Sequence, residues 1–211
     1  MSYLPQFLKR AILILFGVPG MFSVLFAQTP TTIENLKSAL LGETTASAKY
    51  AAFAQRAKEE GLPSIAVLFE AASRSEEIHA NNHLAALRQL GVSATVSPEP
   101  FEVQTTRENL RAAIDGESYE VSEMYPRFLR TADAEQINIA KLSFNYAYQT
   151  EKKHQALYAN ALRLLDEQRQ SALPARYQVC STCGNTYELE APGRCGISMT
   201  PKERFITVSV D

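Results

Sequence analysis

A thirteen-residue phrase occurs twice in this 211-residue chain, so the sequence must fold as two copies of one unit. TTIENLKSALLGE runs from Thr31 to Glu43 and TTRENLRAAIDGE from Thr105 to Glu117, with eight identical positions and an offset of 74 residues. Each copy leads to a Glu-x-x-His, Glu76 to His79 and Glu151 to His154, now offset by 75. The repeated unit is a helical hairpin with a carboxylate on its first helix and a Glu-x-x-His on its second. Two such hairpins carry the ligand set of a dinuclear carboxylate metal site inside a four-helix bundle.

Helix signals agree with that reading. Thr31 with Glu34, and Thr105 with Glu108, have capping-box spacing and predict that both copies open a helix in the same way. The first helix is expected from about 32 to 60, ending at Gly61-Leu62-Pro63, and the second from there to about Gly91. GVSATVSPEPFEVQ, from Gly91 to Gln104, has two prolines and no helical period, so it reads as a long crossover of ferritin-like topology. A third helix is expected from about 107 to 131, kinked or opened in its hydrogen bonding at Pro126, and a fourth from about 134 to 168.

Positions i and i+3 share a helical face, so Glu76 points with His79 and Glu151 with His154, while Glu77 turns away. Ala72 and Leu87 on one stripe, and Ala147 and Leu162 on the other, place these groups in the bundle interior. Buried carboxylates without partners cost several kcal/mol each, and two cations remove that cost. Carboxylate oxygen with imidazole nitrogen suits iron or manganese. The hairpins differ at one place: Glu120 follows Glu117 by three residues, whereas Ala46 follows Glu43. Glu120 is therefore an extra carboxylate on one side of the site. Tyr50 and Tyr125 could each hydrogen-bond a ligating carboxylate or be plain core tyrosines, and His83 reads as a core or rim histidine.

The phrase GESYEVSEMYPRF, the two Glu-x-x-His elements and the cysteine tail resemble rubrerythrin. The resemblance covers nearly everything after residue 27. It implies an all-α four-helix ferritin-like bundle with a small C-terminal rubredoxin-like β module. Carried over residue by residue, it implies diiron ligation by Glu43, Glu76, His79, Glu117, Glu120, Glu151 and His154, with His79 and Glu120 exchanging as the iron changes oxidation state. It further implies a non-haem diiron peroxidase that reduces hydrogen peroxide to water, with Glu120, Tyr50 and Tyr125 serving catalysis. An iron-handling ferroxidase is the alternative. The tail would relay electrons from an unidentified donor, commonly between subunits of a homodimer or higher homo-oligomer.

All three cysteines lie in the tail. Cys180-Ser-Thr-Cys183-Gly184 is a metal-binding knuckle, but its expected partner, Cys195-Gly-Ile-Ser198, supplies one thiolate. Ser198 could bind through oxygen beside Cys180, Cys183 and Cys195. The module could instead hold zinc or no metal, or Cys180 and Cys183 could form a disulfide. The expectation adopted is an occupied but altered site for one iron or zinc.

At the other end, Lys9 and Arg10 precede an apolar run from Ala11 to Phe26, followed by Ala27-Gln28, which reads as a cleaved signal peptide. Sixteen residues fall short of the roughly 20 that span a bilayer, so an anchor formed by 11–26 is the lesser alternative. The organisation expected is a signal peptide at 1–27, the bundle at 28–170, a linker at 171–176 and the module at 177–211, in an exported, periplasmic protein. A net charge of −2 implies no nucleic-acid partner.

Overall fold

The computed structural model describes residues 31–210. The leader expected at 1–27, and with it the expectation of export or anchoring, lies outside the described residues. Within them, no helix is long and apolar enough to cross a membrane. The bundle comprises α1 (Thr31–Glu59), α2 (Pro63–Gln89), α3 (Thr106–Tyr119), a π-helical turn (Glu120–Met124), α4 (Tyr125–Ala134) and α5 (Asn138–Asp166). The tail adds β1 (Arg176–Cys180), β2 (Thr186–Glu188) and β3 (Phe205–Ser209), an antiparallel sheet in the order β2-β1-β3. β1 thus begins on the last residue of the expected linker.

The third helix expected from the sequence is interrupted where Pro126 demands it. Proline has no N–H to donate, and the chain absorbs this with a π turn just upstream, in which the Tyr125 amide reaches back to the Glu120 carbonyl. Glu120, whose counterpart in the first hairpin is Ala46, is the first residue of that turn.

Helix starts show a second departure. α3 opens on the expected Thr105–Glu108 capping box. α1 does not: Glu135 accepts from the amides of Thr31 and Thr32 at 2.9 and 3.0 Å, and Glu34 pairs with Lys37 at 3.0 Å instead. Glu60 makes the matching contact in the other hairpin, accepting from the Thr106 amide at 3.1 Å. Each of these carboxylates lies just beyond one helix and sits at the positive end of another. The caps are therefore exchanged between hairpins, which ties the two halves together.

Two apolar layers fill the interior. One contains Tyr50, Phe53, Phe69 and Tyr158, and the other Leu36, Leu40, Tyr125, Phe128 and Phe144. The charged residues of the repeat lie in the band between them. Tyr177 and Val179 of β1 alternate with the half-buried Arg176 and Gln178 and enter the first layer beside Ile65 and Leu68. The sheet and the bundle therefore share a core.

Replacing Glu135 with Ala should remove an N-terminal cap worth about 1 kcal/mol and lower the thermal midpoint by roughly 2–4 °C. Glu34→Ala removes only an exposed i,i+3 pair of about 0.3–0.5 kcal/mol, so thermal unfolding should separate the two variants.

Candidate metal centre

Six side chains of the repeat converge at the middle of the bundle. Glu43, Glu76, His79, Glu117, Glu151 and His154 are all at most 2% exposed. They form two overlapping groups, Glu43-Glu76-His79-Glu151 and Glu76-Glu117-Glu151-His154, each with ligand atoms within 4.8 Å of one another. Glu76 and Glu151 belong to both groups and divide their oxygens between them. Glu76 presents Oε2 to His79 Nδ1 at 2.9 Å and Oε1 to His154 Nδ1 at 3.1 Å. Glu151 presents Oε1 to His79 and Oε2 to His154, both at 2.8 Å. Neighbouring ligands at right angles on one cation, each about 2.1 Å from it, lie roughly 3.0 Å apart. The spacing is that of two cation positions bridged by two carboxylates.

The atoms aimed at those positions lack other partners. Both oxygens of Glu76 and Glu151, Oε2 of Glu43 and Glu117, and Nδ1 of both histidines are buried without a hydrogen bond of their own. So many orphaned donors and acceptors in one place fit a pair of cations. Without cations, protons must stand in. Despite the penalty of burial, the surrounding carboxylates hold His79 and His154 well above the ordinary imidazole value. Burial pushes Glu43 up to about 7, whereas Glu151, despite its burial, is held at about 2 by both histidines. Cation binding displaces the histidine protons and leaves neutral imidazole and ionised carboxylate as ligands.

Each hairpin completes the other's site. Tyr50 on α1 donates to Glu117 Oε1 at 2.7 Å, and Tyr125 on α4 donates to Glu43 Oε1. These contacts are mates under the repeat, and they give both tyrosines the carboxylate-holding role rather than that of plain core. The residues behind them differ. Tyr158 packs its ring 5.4 Å from that of Tyr50, while His83 Nε2 lies 3.1 Å from the Tyr125 hydroxyl and its Nδ1 2.7 Å from Ser143 Oγ. His83 is thus no member of the clusters, as the sequence indicates. Burial, together with the charge of His79, lowers it to about 3.

Glu120 stands apart. It is half-buried, and no metal cluster among the described residues includes it. Burial raises its carboxyl well above the usual range, and Glu43, Glu117, Glu151 and Glu76 push it further. Its oxygens therefore feel the centre, while His79 occupies the place in the cluster.

Sequence reasoning did not foresee what holds the far side of the histidines, which is the cysteine module of the same chain. His79 Nε2 lies 3.0 Å from the Cys183 carbonyl, and His154 Nε2 lies 2.9 Å from Thr186 Oγ1. Ser75 donates to the Gly184 carbonyl at 2.8 Å, and Thr150 to the Cys183 carbonyl at 3.3 Å. A faint signal was present: Ser75 and Thr150 are buried hydroxyls directly preceding Glu76 and Glu151 at matching repeat positions. The approach is close because residue 184 is glycine. A Cβ there would lie 2.5 Å from both His79 Nε2 and Ser75 Oγ, and the φ of +77° at Gly184 lies in the left-handed region that favours glycine.

Cys180, Cys183 and Cys195 are unpaired, fully buried and gathered within 4.8 Å. Cys183 Sγ lies 3.5 Å from Cys195 Sγ, and Cys180 Sγ lies 3.3 Å from Ser198 Oγ. The hydrogen bond between Cys183 and Cys180 leaves the shared proton on Cys183 and holds the Cys180 thiol well below its ordinary value. An easily ionised sulfur at this position suits a metal ligand.

A ferritin-like bundle around a dinuclear carboxylate centre, with a cysteine module against its histidines, defines a small class of diiron proteins. The rubrerythrin family model matches residues 34–162, more than half the chain. Rubrerythrin-2 of Clostridium acetobutylicum is 34% identical over 175 residues, covering 82% of this chain and 95% of that protein. Nigerythrin of Nitratidesulfovibrio vulgaris is 34% identical over 179 residues, covering 83% and 85%. The structure of nigerythrin in its fully reduced, all-ferrous state superposes with a TM-score of 0.76 at 30% identity, over 96% of this chain and all of that one. A bacterioferritin from Desulfovibrio desulfuricans, 20% identical with a TM-score of 0.62, shares the bundle fold.

This chain belongs to the rubrerythrin family. Its cofactor is a diiron carboxylate centre, and its cysteine cluster fits a further metal ion.

Two outcomes follow from this geometry. Gly184→Ala should drive the module off α2, at a cost of roughly 2–4 kcal/mol from overpacking and left-handed strain, and hydrogen exchange at Tyr177–Cys180 should accelerate at least tenfold. In zinc-loaded protein, ¹⁵N shifts of His83 should remain those of neutral imidazole from pH 7 down to pH 5. An ordinary histidine, with a pKa of about 6.5, would be mostly protonated at the lower value.

Proposed function

We propose that the protein reduces hydrogen peroxide to water at its diiron centre, with Glu43, Glu76, His79, Glu117, Glu151 and His154 as ligands and Glu120 as the exchanging carboxylate. The observation carrying this reading is the cysteine module seated on both histidines. A centre that only stores or passes on iron has no need of a thiolate site one hydrogen bond from a ligand, whereas repeated reduction of peroxide does. When bound, the iron pair supplies two electrons together, so that H₂O₂, two electrons and two protons yield two waters.

The chain's own residues provide the rest. Glu76 and Glu151 hold the two positions at a fixed spacing, and Tyr50 and Tyr125 fix the carboxylates of Glu117 and Glu43 by donating to their outer oxygens. Glu120, half-buried beside six closed residues, is the group placed to carry protons in from solvent. The apolar layers on either side keep bulk water from the centre. Reducing equivalents pass from Cys183 through its carbonyl to His79. Because that contact lies within one chain, this step does not require the subunit pairing implied by the resemblance. The donor would be an exported redox protein if the leader acts as a signal peptide.

With ferrous protein and an artificial reductant, added peroxide should be consumed over many turnovers, and Glu120→Ala should lower the rate by roughly 10²–10⁴ while leaving iron content unchanged. A single stoichiometric oxidation, with ferric ion retained or released, would support the iron-handling alternative.

A further inference from the structure

The second knuckle of the tail has lost a cysteine but kept its backbone. In the first knuckle, the Cys180 amide donates to the Asn185 carbonyl at 3.0 Å and the Gly184 amide to the Cys180 carbonyl at 2.9 Å. In the second, the Cys195 amide donates to the Thr200 carbonyl at 2.8 Å and the Met199 amide to the Cys195 carbonyl at 3.0 Å. The flanking pairs correspond too: Val179 opposite Thr186 brackets the first, and Arg194 opposite Pro201 the second. Under this fifteen-residue offset, Ser198 occupies the place of Cys183 and Met199 that of Gly184.

Met199 makes the comparison informative. It adopts a φ of +60° where Gly184 has +77°, a left-handed conformation that an L side chain disfavours, and it is 61% exposed. Packing of Met199 does not explain that strain. The turn does, because it directs residue 198 inward. Ser198 Oγ arrives 3.3 Å from Cys180 Sγ and 2.8 Å from Thr200 Oγ1. Bonds of about 2.3 Å to sulfur and about 2.0–2.2 Å to oxygen, arranged tetrahedrally, place ligand atoms roughly 3.5–3.8 Å apart. The sulfur–oxygen and sulfur–sulfur separations of 3.3 and 3.5 Å lie just below those distances.

We propose that Ser198 Oγ is the fourth ligand of a metal ion held by Cys180, Cys183 and Cys195. The site has three soft donors and one hard one, and takes iron. Loading releases the ligand protons to solvent. The Thr200 hydroxyl positions the serine oxygen, as Asn185 Nδ2, its counterpart in the first knuckle, faces Cys195 Sγ at 3.5 Å. A hard oxygen favours the ferric over the ferrous state relative to four thiolates, so this module should be a stronger reductant toward the centre it touches.

Cobalt is a suitable probe in the full chain. The three cysteines are the only ones the sequence holds, so any thiolate-to-cobalt absorption reports the module, whatever the diiron site binds or does. Wild type should take about three cobalt ions per chain and show this absorption. Ser198→Thr, which keeps the hydroxyl, should resemble wild type. Ser198→Cys should raise the charge-transfer intensity by about a third, and Ser198→Ala should surrender the module ion to a chelator at least tenfold more readily, with helical circular dichroism unchanged. Should the alanine variant lose its module fold, the threonine and cysteine spectra still decide. The proposal is overturned if wild type shows no thiolate absorption, or if the alanine and cysteine variants match wild type in both spectrum and retention. Neither readout depends on peroxide turnover, so the result stands apart from the proposed activity.

Discussion

Everything in this fold answers to the burial of four carboxylates and two imidazoles in one thin layer of a helical bundle. Such a layer is untenable as an array of unpaired charges, since each would cost several kcal/mol. With two cations bound, it would become the point that ties α1, α2, α3 and α5 together. Glu76 and Glu151, each with one oxygen toward His79 and the other toward His154, would contribute to both positions. The apolar layers above and below then pack against a centre that is neutralised rather than charged.

The duplication supplies these groups in pairs. The ligands correspond, as do the tyrosines that hold them and the carboxylates that cap the opposite hairpin. The proposed chemistry turns on the place where correspondence fails. Pro126 cannot be accommodated in a regular helix, so α3 gives way to a π turn before α4, and Glu120 sits in that turn. Ala46, in the uninterrupted α1, offers nothing equivalent. The halves differ as well behind the tyrosines, where His83 bonds Tyr125 while its counterpart Tyr158 meets Tyr50 through packing.

The bundle was legible because its constraints are local and periodic. A Glu-x-x-His names its own helical face, a capping box names a helix start, and a repeat states which faces meet. The cap of α1 was not legible, because Glu135 lies far along the chain and only tertiary folding brings it to Thr31. Nor was the docking of the tail. The group that holds His79 is a backbone carbonyl, which carries no side-chain signature, and Gly184 reads as an ordinary knuckle glycine until the His79 ring is found against it. The lost cysteine was plain in the sequence, whereas the turn retained around Ser198 is a matter of backbone hydrogen bonds and the positive φ of Met199, which residue types do not reveal.

The central claim is that two iron ions share Glu76 and Glu151. Mössbauer spectroscopy of the fully oxidised, iron-loaded protein in an applied field tests it most directly. Ions bridged by two carboxylates should couple magnetically, so the ferric pair should show a diamagnetic ground state beside any separate module iron. Magnetically independent ferric ions at the centre, or a single ion there, would contradict the account.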